Sequence, residues 1–282
     1  MPWFLAPPWR ARAWFHAGEY PAADGQGSPP VSTITLLTDF GTADSYVAEV
    51  KGCLLAASPP ATLVDVTHSV APGDVRAAAY LLGRVWHRFP RGTIHLAVVD
   101  PGVGTDRAAI ALAAHGHYFV GPDNGLFSFV LRDAEVQIVL LPTPDGASAT
   151  FHGRDLFAPA AASLATGTPL ARLGVPFAGM PVRLAYTEPH YEGKAVVGQV
   201  VYVDRFGTMV TNLTPELVPS YANLEVEGLE VGPLRRTFGD VPTGGLLAYV
   251  GSGGQVEIAV RDGSASRRLG MGVGGRVRAR LG

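Results

Sequence analysis

The chain has 282 residues, 47% of them hydrophobic and 16% charged, with a formal net charge of −2. This length and apolar content can bury one large core or two medium ones. The charge balance gives neither a basic stripe nor an acidic tail, so we expect a small-molecule partner and no nucleic acid. No apolar run approaches the roughly 20 residues of a membrane span, so no membrane association is expected.

The single cysteine, Cys53, excludes an intrachain disulfide and suits a reducing compartment, which predicts a cytoplasmic protein. It lies in an apolar segment typical of a helix, so we interpret it as a core residue. Residues 1–31 combine aromatic side chains with prolines and arginines, and their apolar centre is too short for a signal peptide. We interpret them as a flexible N-terminal extension, with docking on a neighbouring subunit as the alternative.

From residue 31 to residue 99, apolar strand patterns alternate with amphipathic helix patterns. Strands are predicted at 31–37, 63–66 and 93–99, and helices at 45–57 and 75–86. This order predicts parallel strands with right-handed crossovers, in a sheet covered on both faces.

Polar side chains stand where these three strands end. Asp39, His68 and Asp100 fall at or just after the three strand ends. Ligands of such sheets lie outside the carboxyl ends of the strands, so this coincidence predicts a site there.

Further strands are predicted at 108–113, 118–120 and 136–141. Asp74 and Asp155 are predicted as helix N-caps, and Gly167 as the C-cap of the helix after Asp155.

After the loop-rich residues 173–194, short apolar runs separated by Gly and Pro predict an antiparallel sheet or small β-barrel. The fold class is therefore an α/β N-terminal domain with a mostly parallel sheet, followed by a β-barrel-like domain. The boundaries are 32–180 for the first domain, 181–194 for a linker and 195–282 for the second. The predicted strands of the second domain are 195–203, 224–226, 246–250, 255–260 and 275–279.

The loop that starts at Asp100 reads DPGVGTDR. Its Pro and Gly residues exclude a helix, so Asp100 and Arg107 meet only if the loop folds back, either as part of a site or as a structural ion pair. The loop contains neither GxxxxGK nor GxGxxG, so it lacks the usual signatures of phosphate transfer and dinucleotide binding.

Four other polar residues have open interpretations. Asp39 is a turn residue or a carboxylate that accepts from two ribose hydroxyls. Asp44 caps the next helix or binds an ammonium group, and spacing favours the cap. His152, between a turn and a helix start, and His68 are rival candidates for a cleft histidine.

Metal and serine chemistry lack their motifs. Neither HExxH nor DxD spacing occurs, so no metal is expected. GxSxG is absent as well, and we interpret the Gly251–Gly254 segment as a turn.

Short motifs in a fixed order resemble the S-adenosylmethionine (SAM) hydrolase family, also called SAM hydroxide adenosyltransferases, which is related to the fluorinases and chlorinases. The resemblance covers about residues 33–282. The motifs are Thr38–Gly41, Asp65–His68, Val99–Thr105, Pro122–Gly125, Thr150–Asp155, Asp204–Gly207 and Thr211–Asn212.

The resemblance implies an α/β domain followed by a β-barrel-like domain, assembled as a homotrimer in which SAM binds between one subunit's first domain and its neighbour's second. It implies attack of water or hydroxide on C5′ of SAM, giving adenosine and L-methionine without a cofactor or metal. The catalytic residues it implies are Asp100, Arg107 and His152. The substrate-binding residues it implies are Asp39 for the ribose, Asp44, Asp204, Phe206, Asn212 and Ser252.

Two groups of positions separate this chain from its relatives. The halogenating relatives carry tyrosines at the Asp100 and His152 positions, so this chain favours water over halide. Thr208 and Arg261 stand where the family usually has Asn, which affects the expected adenine contacts. A SAM- or adenosine-binding sensor, a halide-dependent adenosyltransferase and metal-dependent nucleotide hydrolysis are therefore kept as alternatives.

Overall fold

The computed structural model describes residues 32–132 and 135–281. The predicted extension, residues 1–31, lies outside the described residues. The backbone divides into two compact units with the break between Ala185 and Tyr186. This break falls inside the predicted linker, residues 181–194, which also contains a short strand, His190–Glu192.

The first unit alternates strands and helices through its first half and then continues mainly with strands. The strands described in it are β1 Thr33–Thr38, β2 Thr62–Thr67, β3 Ile94–Val98, β4 Ala109–Ala114, β5 His117–Pro122, β6 Gln137–Leu140 and β7 Val175–Pro176. The helices are α1 Tyr46–Ala57, α2 Val75–Val85 and α3 Ala158–Ala165.

All seven strands form one sheet, in the order β2-β1-β3-β5-β4-β6-β7. The first four are parallel: α1 and α2 are the crossovers that join β1, β2 and β3, and β4 lies in the connection from β3 to β5. The pairings from β5 through β4 and β6 to β7 are antiparallel. The tight β4–β5 hairpin explains the change, since His115 and Gly116 at its turn have φ of 54° and 80°. The α/β prediction is confirmed, with parallel pairing at the start of the sheet.

Apolar side chains cover both faces of this sheet. Along β1, Ile34 and Leu36 point into the core that packs against α1 and α3. Leu37 points to the opposite face, where α2 and the Phe119 region pack. This alternation follows from the two-residue period of a strand. Cys53 packs against the first of these cores, partly buried.

Of the four helix caps predicted from the sequence, the structure confirms one and corrects three. Asp74 caps α2, accepting from the Ala77 N–H at 2.9 Å. The N-cap of α1 is Ser45, so the interpretation of Asp44 as that cap is wrong. Asp155 is also not an N-cap, because it lies inside a π-helical turn, Gly153–Phe157, that runs directly into α3. At the end of α3 the C-cap is Thr166, and Gly167 follows it with φ of 89°.

The second unit is a closed barrel with one additional edge strand. Its strands are β8 His190–Glu192, β9 Ala195–Val203, β10 Met209–Thr211, β11 Asn223–Val226, β12 Leu229–Arg235, β13 Leu246–Val250, β14 Val256–Val260 and β15 Arg276–Arg280. It also contains α4, Ala265–Leu269.

The barrel closes in the order β9-β10-β14-β13-β12-β11-β15 and back to β9, while β8 pairs with β9 at its edge. The β12–β13 pairing is parallel and the others are antiparallel. Closure leaves no open edge among the seven barrel strands and surrounds one apolar core. The predicted barrel-like second domain is therefore confirmed.

Candidate active site

Asp100 and Arg107 meet at the carboxyl end of β3. The Arg107 Nε donates to Oδ1 and Oδ2 of Asp100, at 2.9 and 3.0 Å, and its Nη2 also contacts Oδ2. Both side chains are largely withdrawn from solvent, with 5% of Asp100 and 10% of Arg107 exposed. The Arg107 guanidinium also lies over the Phe157 ring, 5.1 Å from its centroid. The loop therefore folds back, as a site at this strand end requires.

Glycines make this fold-back possible. Gly104 has φ of 78°, and a Cβ there would lie 2.7 Å from the carbonyl oxygen of Ala149. A Cβ at Gly102 would lie 3.2 Å from the Arg107 Cγ. Only glycine has the conformation and the small size for the first position. The close approach also holds the Asp100 loop against the segment that leads to His152.

His152 completes a three-residue contact. Its Nδ1 lies 2.9 Å from Nη2 of Arg107, and the residue is buried. Burial and then the Arg107 guanidinium lower the pKa of His152, against the opposing effect of the Asp100 and Asp155 carboxylates. Arginine can only donate, so Nδ1 accepts and the proton of the neutral ring is on Nε2. The family resemblance implied that Asp100, Arg107 and His152 act together, and the structure brings all three into contact through Arg107.

A π-helical turn, Gly153–Phe157, directly follows His152. Such turns insert one extra residue and are frequent at functional sites. Arg154 holds the turn, because it pairs with both oxygens of Asp155 at 2.7 and 2.9 Å and with Glu49 of α1 at 2.7 Å. The same Asp155 carboxylate accepts from the backbone N–H of Ser148 at 2.9 Å. These bonds fix the chain on both sides of His152.

Asp39 lies in the turn after β1 and borders a cavity of about 490 Å³ within the first unit. Its Oδ2 accepts from the Gly73 N–H at 2.8 Å. Among the residues that the structure describes, Oδ1 has no hydrogen-bond partner. The cavity is lined by Asp39, Phe40, Tyr46, Glu49, Ser148, Thr150, Phe151 and Arg154. Asp39 therefore offers a carboxylate oxygen beside a cavity.

Aromatic side chains form a wall of this cavity. Phe151 packs edge-on against Tyr46 and Phe40, with ring centroids 5.2 and 5.7 Å apart. Sequence reasoning did not predict this wall or the Glu49–Arg154 pair. The available signal was the spacing of Tyr46 and Glu49, since residues three apart share a helix face. Asp44 is exposed, two residues before α1.

Asp204 shapes a turn at the start of the β9–β10 connection, in the second unit. Its Oδ1 accepts from the backbone N–H groups of Phe206 and Thr208, at 2.9 and 2.8 Å. Phe206 is 70% exposed, with the Arg205 guanidinium over its ring at 5.5 Å. The turn thus presents an aromatic face outward, while one carboxylate oxygen of Asp204 serves the backbone.

Asn212 and Ser252 differ in their surroundings. Asn212 is buried, and its amide accepts from the Gln199 N–H and donates to the Thr187 carbonyl, both at 2.7 Å. Contact with a ligand would use only the remaining N–H and lone pair. Ser252 is exposed in the turn between β13 and β14, as the glycine-rich sequence predicted.

Across residues 32–132 and 135–281, no three His, Cys, Asp or Glu side chains are arranged to hold a metal ion. In the same ranges, no helix has both the length and the apolar character to span a bilayer.

Comparison with known proteins finds matches over both units. The profile of the SAM hydroxide adenosyltransferase N-terminal domain matches residues 34–174, and that of the C-terminal domain matches residues 198–278. The (R)-S-adenosyl-L-methionine hydrolase of Thermus thermophilus is 44% identical over 257 residues, which cover 87% of this chain and 98% of that protein.

A fluorinase from Nocardia brasiliensis is a more distant relative, 29% identical over 80% of this chain and 89% of that protein. The crystal structure of an uncharacterized conserved protein from Thermotoga maritima has a TM-score of 0.82 and 37% identity. The match covers 88% of this chain and 99% of the Thermotoga maritima chain. With both domain profiles matched, the chain belongs to the SAM hydroxide adenosyltransferase family.

Proposed function

We propose that this protein hydrolyses S-adenosyl-L-methionine to adenosine and L-methionine. The observation that carries the proposal is the contact of Asp100, Arg107 and His152 at the end of β3. The names of relatives support it, since proteins 43–44% identical over most of the chain are called (R)-S-adenosyl-L-methionine hydrolases.

The reaction needs a nucleophile held in line rather than an acid. The water oxygen forms a bond to C5′ as the C5′–S bond breaks, and sulfur leaves with the electron pair as a neutral thioether. The sulfonium is already a good leaving group, so no proton has to reach sulfur. Orienting one water at C5′ is therefore the main task of the side chains. A site with little water helps, because hydroxide character and sulfonium charge neutralise each other as the bond forms.

The donor and acceptor capacities of the three side chains assign a role to each of them. With its Nδ1 accepting from Arg107, neutral His152 can only donate from Nε2, which suits it to hold the oxygen of the attacking water. The Asp100 carboxylate retains acceptor capacity beyond its bonds to Arg107 and takes the proton that water loses. Arg107 holds both partners and stabilises developing hydroxide charge. We assign Asp39 Oδ1 to the ribose hydroxyls.

The proposal also covers the configuration of the substrate at sulfur. A sulfonium with three different substituents is a stereocentre, and the names of the closely similar relatives specify the (R) form. We propose that this chain also acts on the (R) form at sulfur.

The remaining assignments follow from the family resemblance. We propose that the protein works without cofactor or metal, as a cytoplasmic homotrimer. In that assembly Asp44 contacts the methionine part of SAM. The second-unit residues of a neighbouring subunit would add contacts to methionine or adenine, and they are Asp204, Phe206, Asn212 and Ser252.

The test is incubation of the purified protein with the separate sulfonium epimers in ¹⁸O-labelled water, followed by chromatography and mass spectrometry. We expect adenosine carrying ¹⁸O at its 5′ oxygen, together with methionine, faster from the (R) epimer and unchanged by EDTA. Halide should give no 5′-halogenated product. Tight SAM binding without product would instead indicate a sensor, and loss of activity with EDTA would indicate a metal enzyme.

A further inference from the structure

His68 contacts both ends of the turn that carries Asp39. Its Nδ1 lies 2.8 Å from the Thr38 hydroxyl, and its backbone oxygen accepts from the Gly41 N–H at 2.7 Å. The Thr38 hydroxyl also accepts from the Phe40 N–H at 3.3 Å. The residues before and after Asp39 are therefore tied to one histidine.

One arrangement of hydrogens satisfies all the contacts of this network. The Asp65 carboxylate lies 3.1 Å from Nε2 of His68, off the direction needed for a full hydrogen bond, and its negative charge favours a proton on that nitrogen. Nδ1 then accepts from the Thr38 hydroxyl, whose oxygen is left to accept from the Phe40 N–H. Lys51 donates to the other oxygen of Asp65 at 2.7 Å.

Burial makes the arrangement rigid and removes His68 from the chemistry. Only 5% of His68 and 1% of Thr38 is exposed. One ring nitrogen is occupied by Thr38 and the other faces Asp65. Neither nitrogen is free to take a proton from water, so the rival interpretation of His68 as the cleft base has no support in the geometry.

We propose that His68 is a positioning residue, which holds the Thr38–Gly41 turn so that Oδ1 of Asp39 meets the hydroxyls of a ribose. The second oxygen of Asp39 is fixed independently by the Gly73 N–H, so the turn geometry determines where Oδ1 points. The inference rests on the proposed function for its ligand, an adenosine-type ribose. It assigns a role to the Asp65–His68 motif, which the catalytic chemistry does not use.

Calorimetry with two nucleosides tests this role separately from turnover. The probes are adenosine and 2′,3′-dideoxyadenosine, which lacks both ribose hydroxyls. A hydrogen bond to a charged group corresponds to a preference for adenosine of about 10-fold or more in the wild-type protein. We expect His68→Gln and Thr38→Val each to remove most of the preference for adenosine, with little change in the affinity for dideoxyadenosine.

The conservative variant and two controls complete the experiment. The amide of asparagine can take the place of Nδ1, so His68→Asn should keep more of the preference than His68→Gln. His87→Asn, at a buried histidine in the same unit, should leave the preference unchanged. The double variant His68→Gln/Asp39→Asn should lose no more of the preference for adenosine than Asp39→Asn alone.

The outcomes separate the two proposals. If the wild-type protein prefers adenosine but His68→Gln weakens both nucleosides equally, His68 has only a structural role and the inference is wrong. If the wild-type protein binds both nucleosides equally, the ribose assignment of Asp39 fails, and the inference fails with it. Selective loss of the adenosine preference supports the inference even if SAM is not turned over, because the measurement needs no reaction.

Discussion

Arg107 holds Asp100 with one edge of its guanidinium and, through Nη2, lies 2.9 Å from Nδ1 of His152. The planar fork of arginine is what allows one side chain to serve both partners, and a lysine ammonium cannot reproduce this geometry. The three residues should therefore behave as one unit in mutagenesis.

For this unit we expect strongly non-additive losses. Arg107→Lys and His152→Ala should each lower kcat by about 10²-fold or more, and the double variant should lose little beyond the more severe single one. Rates of adenosine release measure this cycle, and Arg132→Lys in the same unit is the control. Fully multiplicative losses would mean that Arg107 and His152 act independently.

Asp100→Asn should lower kcat by about 10²–10⁴-fold, because the amide cannot accept the proton of the attacking water. KM should change little, since this role is confined to the transition state. Asp106→Asn is the matched control, because Asp106 is an exposed residue of the same loop. An Asp100→Asn enzyme with wild-type kcat would remove Asp100 from the proton transfer.

The pH dependence of kcat should reflect a neutral His152. Burial and Arg107 place the pKa of this histidine below the ordinary 6.5, so the neutral form persists as the pH falls through that value. We expect kcat to be level between about pH 7.5 and 6.5 and to fall only at lower pH. Stopped assays across this range provide the measurement. A decline centred at or above pH 6.5 would contradict the neutral assignment.

Gly104→Ala should lower the activity by more than backbone strain alone explains. The new Cβ would lie 2.7 Å from the Ala149 oxygen, so the Asp100 loop must move away from the His152 segment. A displacement of about 1 Å can cost about 10²-fold in rate. Gly146→Ala is the control, since Gly146 has a similar φ of 81° with no atom near the added Cβ. Each change should cost about 1–2 kcal/mol in strain, but only Gly104→Ala should lose most activity.

The buried pair His95 and His117 should make the first unit sensitive to acid. Burial above all lowers the pKa of His95 to about 3 and that of His117 to about 4. The unfolded chain therefore takes up protons first as the pH drops below 6.5. Stability from these groups is complete above pH 6.5 and decreases below it, by about 2 kcal/mol for His95 at pH 5.

Urea unfolding at pH 7.5 and pH 5 measures this loss. His95→Asn keeps a group able to bond the Thr35 hydroxyl, which lies 2.8 Å from His95 Nδ1, but does not titrate. Its free energy of unfolding should depend less on pH than that of the wild-type protein. An equal pH dependence in both proteins would show that His95 is not responsible.

The sequence predicted the first sheet well because its signals are local and strong. Long apolar runs and the polar residues after them located Asp39, His68 and Asp100 at strand ends, and the topology brought these ends to one edge. The contacts of Arg107 with Asp100 and His152 need the fold-back of a glycine loop, which no local pattern specifies. They were expected from the resemblance and then found in the structure.

Other features escaped prediction for identifiable physical reasons. Strand β12, Leu229–Arg235, contains Gly232 and Pro233, and β10 has only three residues, so neither shows a strand pattern. Asp155 has the spacing of an N-cap, but its bonds to Arg154 and the Ser148 N–H favour the π-helical turn. The configuration at sulfur leaves no trace in composition or spacing.

The π-helical turn after His152 has a consequence for how this site tolerates change. One residue corresponds to about 100° of rotation in an α-helix. Deleting a single residue from Gly153–Phe157 would restore regular helix and swing His152 away from Arg107, even though every side chain of the catalytic group remained in the sequence. The length of this segment is thus as much a determinant of the chemistry as residue identity. A chain one residue shorter here would keep Asp100, Arg107 and His152 but would lose the contact between Arg107 and His152.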